Sequence, residues 1–444
     1  LIKVNIVRRL FSMQKLLLSL ALAALVLSPS FASENPGSPS YEQLLAQLTA
    51  HPGEIPAIPE PPADKAFAGA AEGRYWVGVK AADKAARTSL LEAGFDIVET
   101  ERNRVFGFAG PELLRQLEAG KFVVESRVAL ASYADRAKDF PAADAIYHNY
   151  QETYDTLKQL ADSNSDITSL FSIGKTIEGR DIWCLRINSS AKGETPSAKP
   201  GAFFMGNLHA REHLTAEVTL LLGVWLLEHR NDADVKKYLS TLDIYIAPMA
   251  NPDGAEFDIK NGSYQYYRKN MAKNSNGSRG VDLNRNFDSW WCESGASTYP
   301  GSDTYCGPKA FSEPESQHIK RFFETRRNLK THISFHSYAS EILYPWGGSE
   351  EEVADLRDRK AFVKIATEMG KLTNYEPRKS SDMYVATGDS ADWAYAATGA
   401  LSFTFELEGR GFYPGAAIVK GAVERNIKAS VYLLSVTDDP YKVI

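Results

Sequence analysis

Long apolar runs, cysteine and excess positive charge are all scarce in this 444-residue chain, which has three cysteines and a formal net charge of -6. So few thiols exclude a disulfide scaffold as the source of stability. A net negative charge with no basic stripe removes the electrostatic footprint of a nucleic-acid-binding protein. The apolar stretch Leu16 to Leu27, preceded by Lys15 and followed by the small-x-small pattern Ser30-Phe31-Ala32, is shorter than the ~20 residues that span a bilayer. Its layout is that of an export signal, so residues 1-32 are expected to be removed and the protein to be secreted or periplasmic, free of the membrane afterwards. The first methionine is Met13, and residues 1-12 would lie upstream of the expected start. The next apolar stretch, Leu214 to Leu227, contains Glu217 and reads as a buried helix. No repeat or low-complexity tract is present, and the expected state is a monomer.

What the chain does contain is a set of residues suited to holding a metal. His209 and Glu212, in His209-Ala210-Arg211-Glu212, are answered far downstream by His336 in Ser334-Phe335-His336-Ser337-Tyr338. Two imidazoles and one carboxylate form the open ligand set of a catalytic zinc, leaving a fourth position for water. Phe203-Phe204-Met205 and Ile333-Ser334-Phe335 read as short buried strands, so both ligand groups follow strand ends, where open α/β sheets place their sites. Leu401-Ser402-Phe403-Thr404-Phe405 delivers Glu406 in the same way.

Along the chain, a helix-like segment at Tyr41 to Leu48 leads into a linker with Pro52, Pro56, Pro59, Pro61 and Pro62. Residues 33-72 are therefore expected to be a Pro-rich linker. Between 73 and 130 come a strand at Tyr75 to Val79, a helix at Ala82 to Ala93, strands at Phe95 to Glu99 and Val105 to Phe108, a helix from Pro111 and a strand at Phe122 to Val124. That order suggests a small α+β sandwich. Ser132 to Lys138 is either an exposed processing segment or an interdomain linker that is never cut. From residue 145 helices and strands alternate: helix Gln151 to Asp162, strands at Ile182, Ala202 and Asp243 to Ile246, a helix after Glu212 and a final helix from Ala417. The expectation is an α/β fold, a mixed central sheet with helices on both faces, preceded by the small domain. Cys292 and Cys306 bracket a loop they could close, and Cys184 lies in a strand as a buried thiol.

The strings His209-Ala210-Arg211-Glu212-His213-Leu214-Thr215, Tyr267-Arg268-Lys269-Asn270, Asp282-Leu283-Asn284-Arg285-Asn286, His336-Ser337-Tyr338 and Phe403-Thr404-Phe405-Glu406 together resemble the zinc metallocarboxypeptidases of the carboxypeptidase A/B family. The bacterial carboxypeptidase T branch is the most similar. The resemblance runs from about residue 139 to the C-terminus, and implies a catalytic domain at 139-444 acting on peptide and protein C-termini. It makes residues 73-138 a propeptide with its processing linker, covering and inhibiting the site until cleavage near Lys138/Asp139. It implies one zinc on His209, Glu212 and His336, with Glu406 as general base and Arg268 beside the oxyanion. Asn284 and Arg285 would clamp the substrate carboxylate, Tyr384 would close over it, and Arg211 and Tyr338 would form outer subsites. Asp282 would orient His209. Asp389 would supply a carboxylate to the specificity pocket and Ala391 an uncharged floor, implying a mixed apolar and basic preference; alternatively Asp389 caps a turn beside Gly388. His213 and His318 are expected to be non-ligands. Calcium is possible by resemblance, but loop Asn188 to Pro200 carries only Glu194 as an acid. Two other readings stand beside this one: an amide-cleaving relative acting on peptidoglycan stems, and a non-catalytic peptide-binding module.

Overall fold

The computed structural model describes residues 75–100, 103–120, 122–129, 140, 144–260 and 264–444, all within one compact unit. The export signal, the helix at 41–48, the Pro-rich linker and the processing segment fall outside the described residues.

The first elements are β1 (Tyr75–Lys80), α1 (Lys84–Glu92), β2 (Asp96–Thr100), β3 (Arg104–Ala109), α2 (Pro111–Ala119) and β4 (Val124–Ala129). Their strands form an antiparallel sheet in the order β2-β3-β1-β4. Val77, Val79 and Val105 meet Leu90, Leu91, Leu114 and Leu117 of the two helices in one apolar layer. The last strand starts at Val124 rather than at Phe122; Val123 is 56 % exposed, while Phe122 and Val124 pack against the core. Gly94 ends α1 at φ +92 and lies so close to Ser302 that an added Cβ would sit 2.5 Å from its Oγ.

The larger region begins with α3 (Tyr150–Ser163), entered through an Asn149/Glu152 capping box. There follow β5 (Thr168–Lys175), β6 (Asp181–Ile187), β7 (Gly201–Met205), α4 (His213–Glu228), α5 (Ala233–Thr241), β8 (Asp243–Ala247) and α6 (Pro252–Asp258). Then come α7 (Pro314–Thr325), β9 (Leu329–Ser337), β10 (Glu341–Tyr344), α8 (Leu356–Thr373), β11 (Glu376–Lys379), α9 (Ser390–Thr398), β12 (Leu401–Leu407) and α10 (Ala416–Val436).

Eight strands make one mixed sheet in the order β11-β10-β12-β9-β7-β8-β6-β5. Alternation along β7 explains its two covered faces: Ala202 and Phe204 enter a core shared with α4, α8 and α10, while Phe203 and Met205 enter a second core with Phe322 and Phe323 of α7. Helix α4 is apolar nearly all round, as expected of a helix enclosed on every side. Its buried acid, Glu217, accepts from the backbone N–H of His148 at 2.5 Å and meets the His148 ring at 2.9 Å.

Cys292 and Cys306 are joined by a disulfide, and Cys184 is a buried free thiol whose pKa burial pushes up to about 12. No helix among the described residues is long and apolar enough to cross a membrane.

Candidate metal centre and cleft

β7, β9 and β12 are neighbours in register, so their carboxyl ends bring distant residues to one place. Cα of His336 is paired across the ladder with Cα of Glu406. The turn after β7 is held tightly: Gly206 sits where an added Cβ would lie 2.5 Å from Thr215 O, and Asn207 Nδ2 donates to the carbonyls of His209 and Ala210. Ala210 N–H in turn donates to Arg268 O at 3.0 Å. Glu212 stands at the head of α4, its carbonyl accepting from Thr215 Oγ1 at 2.6 Å.

His209 Nδ1 lies 2.9 Å from Glu212 Oε1 and 3.1 Å from His336 Nδ1, and His336 Nδ1 is 3.2 Å from Glu212 Oε2. Ligands on one tetrahedral zinc at ~2.0–2.1 Å stand about 3.3 Å apart, so the donor set has the right span. The other ring nitrogens are engaged elsewhere: His209 Nε2 faces Asp282 Oδ1 at 3.2 Å and His336 Nε2 faces Ser334 Oγ at 3.0 Å. A proton on Nε2 leaves the Nδ1 lone pair directed inward, the tautomer a metal needs. Among the described residues this trio is the cluster of His, Cys, Asp or Glu able to hold a metal, and all three are buried.

Burial would raise the Glu212 carboxyl, but His209 and His336 outweigh it and hold it well below the usual carboxylate range. Asp282 is likewise held low against burial by Arg268 and His209. Arg268 grips Asp282 Oδ2 through Nε and Nη2, both at 3.0 Å. Glu406 goes the other way, raised well above its ordinary value by burial, then by Glu212 and Glu341, against the pull of Arg268.

A cavity of about 800 Å³ opens beside these groups. Arg211, Asn284, Arg285, Tyr338, Tyr384 and Asp389 share its wall with His209, Glu212, Arg268 and Glu406. Asn284 Nδ2 donates to Asp389 Oδ2 at 3.0 Å, and its Oδ1 accepts from Ser390 N–H at 2.9 Å. Arg285 donates to the carbonyls of Gly295 and Asn284. Asp389 caps α9, its Oδ1 accepting from Ala391 and Asp392 N–H at 2.7 and 2.9 Å. Ala391 is 4 % exposed and lies behind that cap, outside the residues that line the cavity. Tyr384 leans on the small domain's core, where burial lifts its phenol to about 12.

The small sandwich covers this cleft. Trp76, Phe106 and Phe108 pack with Tyr338, Phe412 and Tyr413 in one apolar cluster. Asp96, at the start of β2, accepts from Arg211 Nη2 and stands 3.5 Å from Arg268 Nη1. The Arg211 guanidinium is stacked between Phe108 at 4.8 Å and Phe412 at 4.0 Å. Two residues of the wall escaped the sequence reading, Asp96 and Glu341. Asp96 lies in the strand expected at Phe95 to Glu99 and Glu341 in β10, which was not expected as a strand, and neither carried a sequence signal of the face it occupies.

His213 and His318 stand apart from the trio, bonded to Asp258 Oδ2 and to Lys175 O. In the loop at 188–200, Arg186 Nη1 donates to the carbonyls of Gly193 and Thr195 at 2.9 and 2.8 Å while Nε and Nη2 hold Asp243. A guanidinium thus occupies the carbonyl cluster that a cation would need.

Comparison with known proteins gives one consistent answer. Residues 153–429 match the family model described as zinc carboxypeptidase. A zinc carboxypeptidase of Saccharothrix mutabilis subsp. capreolus is 30 % identical over 391 residues, covering 82 % of this chain and 89 % of its own. Human carboxypeptidase A1 is 33 % identical over 313 residues, 67 % of this chain and 72 % of that one. The crystal structure of carboxypeptidase A from Helicoverpa armigera shares the fold with TM-score 0.67, at 24 % identity, over 83 % of this chain and 98 % of the other.

Proposed function

This chain belongs to the zinc carboxypeptidase family, and from that premise we propose that it is exported as a latent precursor and, once cleaved, removes C-terminal residues of mixed apolar and basic character. Zinc-dependent hydrolysis at peptide C-termini is the family's activity; the division of labour among the residues, the latency and the preference are this reading's own content.

His209, Glu212 and His336 would hold the ion through Nδ1, Oε and Nδ1. Bound there, zinc supplies a Lewis acid for the scissile carbonyl and a water of lowered pKa. Glu406 receives the proton of the attacking water and returns it to the departing amine, a carboxylate being able to act as base and then as acid. Arg268, held in place by Asp282, presents a permanent charge where the oxyanion develops. Asn284 and Arg285 fix the substrate's terminal carboxylate, a donor pairing suited to that planar anion. Tyr384 lies on the wall of the same cavity and would move onto the substrate once the small domain departs.

The observation that carries the latency is Asp96. Its carboxylate already pairs with Arg211 Nη2 and approaches Arg268, so an anion supplied by residues 73-138 occupies ground a substrate would need. Cleavage near Lys138/Asp139 would let that segment leave. Leu343, Met383 and Ala386 beside carboxylates in the same wall support the mixed preference.

The test is a series of peptides differing only in the C-terminal residue, given to the chain before and after limited proteolysis, with and without a chelator. Release of the single terminal residue after proteolysis, abolished by the chelator, is the expected result. Equal activity before and after cleavage refutes the latency, and internal cleavage or hydrolysis of C-terminally amidated peptides refutes the clamp.

A further inference from the structure

Glu341 is the first residue of β10 and the direct cross-strand partner of Glu406. In an antiparallel pair, opposed side chains leave the sheet on one face with their Cβ atoms about 5 Å apart. The next pair facing the same way is Leu343 with Thr404, and all four residues line the cavity. The intervening residues, Ile342 and Phe405, turn to the opposite face and are fully buried in the core. Register therefore commits Glu341 to the cleft.

Its surroundings are unusual for an acid. The residue is 7 % exposed; Oε1 meets Arg378 Nη2 at 2.8 Å, and Oε2 is buried with no hydrogen-bond partner. A buried carboxylate oxygen without a donor costs free energy that a ligand bearing N–H groups can recover. Asp389, the other acid of the wall considered for specificity, has no such vacancy, since Oδ1 accepts from two backbone N–H groups and Oδ2 from Asn284. Burial also raises the Glu341 carboxyl, against the opposing pull of Arg378, as fits a group short of donors.

We propose that Glu341 is a specificity-determining residue that accepts, through Oε2, a hydrogen bond from a cationic side chain on one of the two residues flanking the bond to be cut. This rests on the carboxypeptidase reading of the same cleft. The ligand is a Lys or Arg side chain, at the C-terminal or the penultimate position. Arg378 is the internal competitor: it neutralises part of the charge, so apolar side chains remain tolerated.

The test uses the full chain activated by limited proteolysis and four blocked peptides, with Arg or Leu at the C-terminal position and Arg or Leu at the penultimate one. The quantity read is the Arg-to-Leu ratio of kcat/KM at each position. Glu341→Gln should lower that ratio by roughly tenfold or more at one of them, the usual weight of a charge-assisted hydrogen bond. Arg378→Gln, which frees Oε1 as well, should raise it at the same position. A purely structural pair would instead lose melting temperature in both variants with both ratios unmoved, and that result overturns the proposal. If no peptide is cut by the wild type, the carboxypeptidase reading itself falls; the ratio is then taken from Kd values of the same peptides, where equal values in wild type and variant again refute the role of Glu341.

Discussion

Replacing Asp96 by alanine removes the carboxylate through which, among the described residues, the small sandwich engages the arginines of the cleft. Asp96 is 3 % exposed, and Arg211 fully buried, with Nε and Nη1 already lacking partners. Removing one member of a buried ion pair typically costs about 3–5 kcal/mol, because the surviving charge stays desolvated. Here the lower end applies, since Arg268 keeps Asp282 and lies 3.5 Å from Asp96. Some of that cost is relieved when the cover lifts and water reaches Arg211, so the substitution favours opening. At ~1.4 kcal/mol per tenfold, relief of the whole of about 3 kcal/mol would shift the closed-to-open balance by roughly a hundredfold, which is the upper bound. The assay is hydrolysis of a blocked peptide by uncleaved chain, wild type and Asp96→Ala, with both proteins also assayed after proteolytic processing. A melting curve checks that the sandwich stays folded, which its core of Val77, Val105 and Leu114 should ensure. The expected result is a large rise in activity of the uncleaved variant and equal activity of the processed forms. An uncleaved variant as silent as wild type, beside equal processed forms, would refute the idea that Asp96 holds the cover down.

Glu406→Gln should retain zinc and lose about 10²- to 10⁴-fold in kcat, the usual weight of an acid/base group; near-normal turnover with metal bound removes Glu406 from that role. His336→Ala leaves two protein ligands where catalytic zinc has three, so metal analysis of the purified variant should find the ion lost, and full stoichiometry would contradict the assigned centre. Glu315, buried at the start of α7 and hydrogen-bonded to Asn270, has its pKa raised to about 7 chiefly by burial. The folded state therefore holds its proton longer than the unfolded chain, and wild-type stability should fall between pH ~4.5 and ~7 by up to about 3 kcal/mol. Glu315→Gln should flatten that fall in urea titrations, and an identical pH slope in both proteins would disprove the linkage.

The ligand trio was legible because its members come at or after the ends of buried strands, and strands such as Phe203-Phe204-Met205 announce themselves as unbroken apolar runs. Helices α3, α4 and α10 were equally plain from the length of their patterns. Strand β5 was not read, since Ser169, Ser172 and Gly174 interrupt its apolar residues and most of its side chains are only half-buried. Strands β10 and β11 are four residues each, too short for a periodic pattern to stand out. Asp96 and Glu341 illustrate a deeper limit. Both occupy strand positions whose face is decided by register with a partner strand, and register across a sheet cannot be read from either strand alone. The cap on α9 is a similar case: Asp389 suited both a pocket wall and a helix start, and only the three-dimensional arrangement shows its oxygens already taken.

Strand β12 is made near the end of the chain, yet it lies in the interior of the large sheet between β9 and β10. During synthesis those two strands must wait with a slot between them. Elongation at ~5–20 residues per second puts roughly fifteen to fifty seconds between completion of β4 and arrival of β12. For all that time the sandwich bearing Asp96 can already be folded, while Glu406 has not yet left the ribosome. On the proposed latency, a nascent chain is thus guarded before it is armed. Translation that stops short of residue 401 yields a protein with two open strand edges, prone to pairing with other chains, and without the carboxylate on which the proposed chemistry turns.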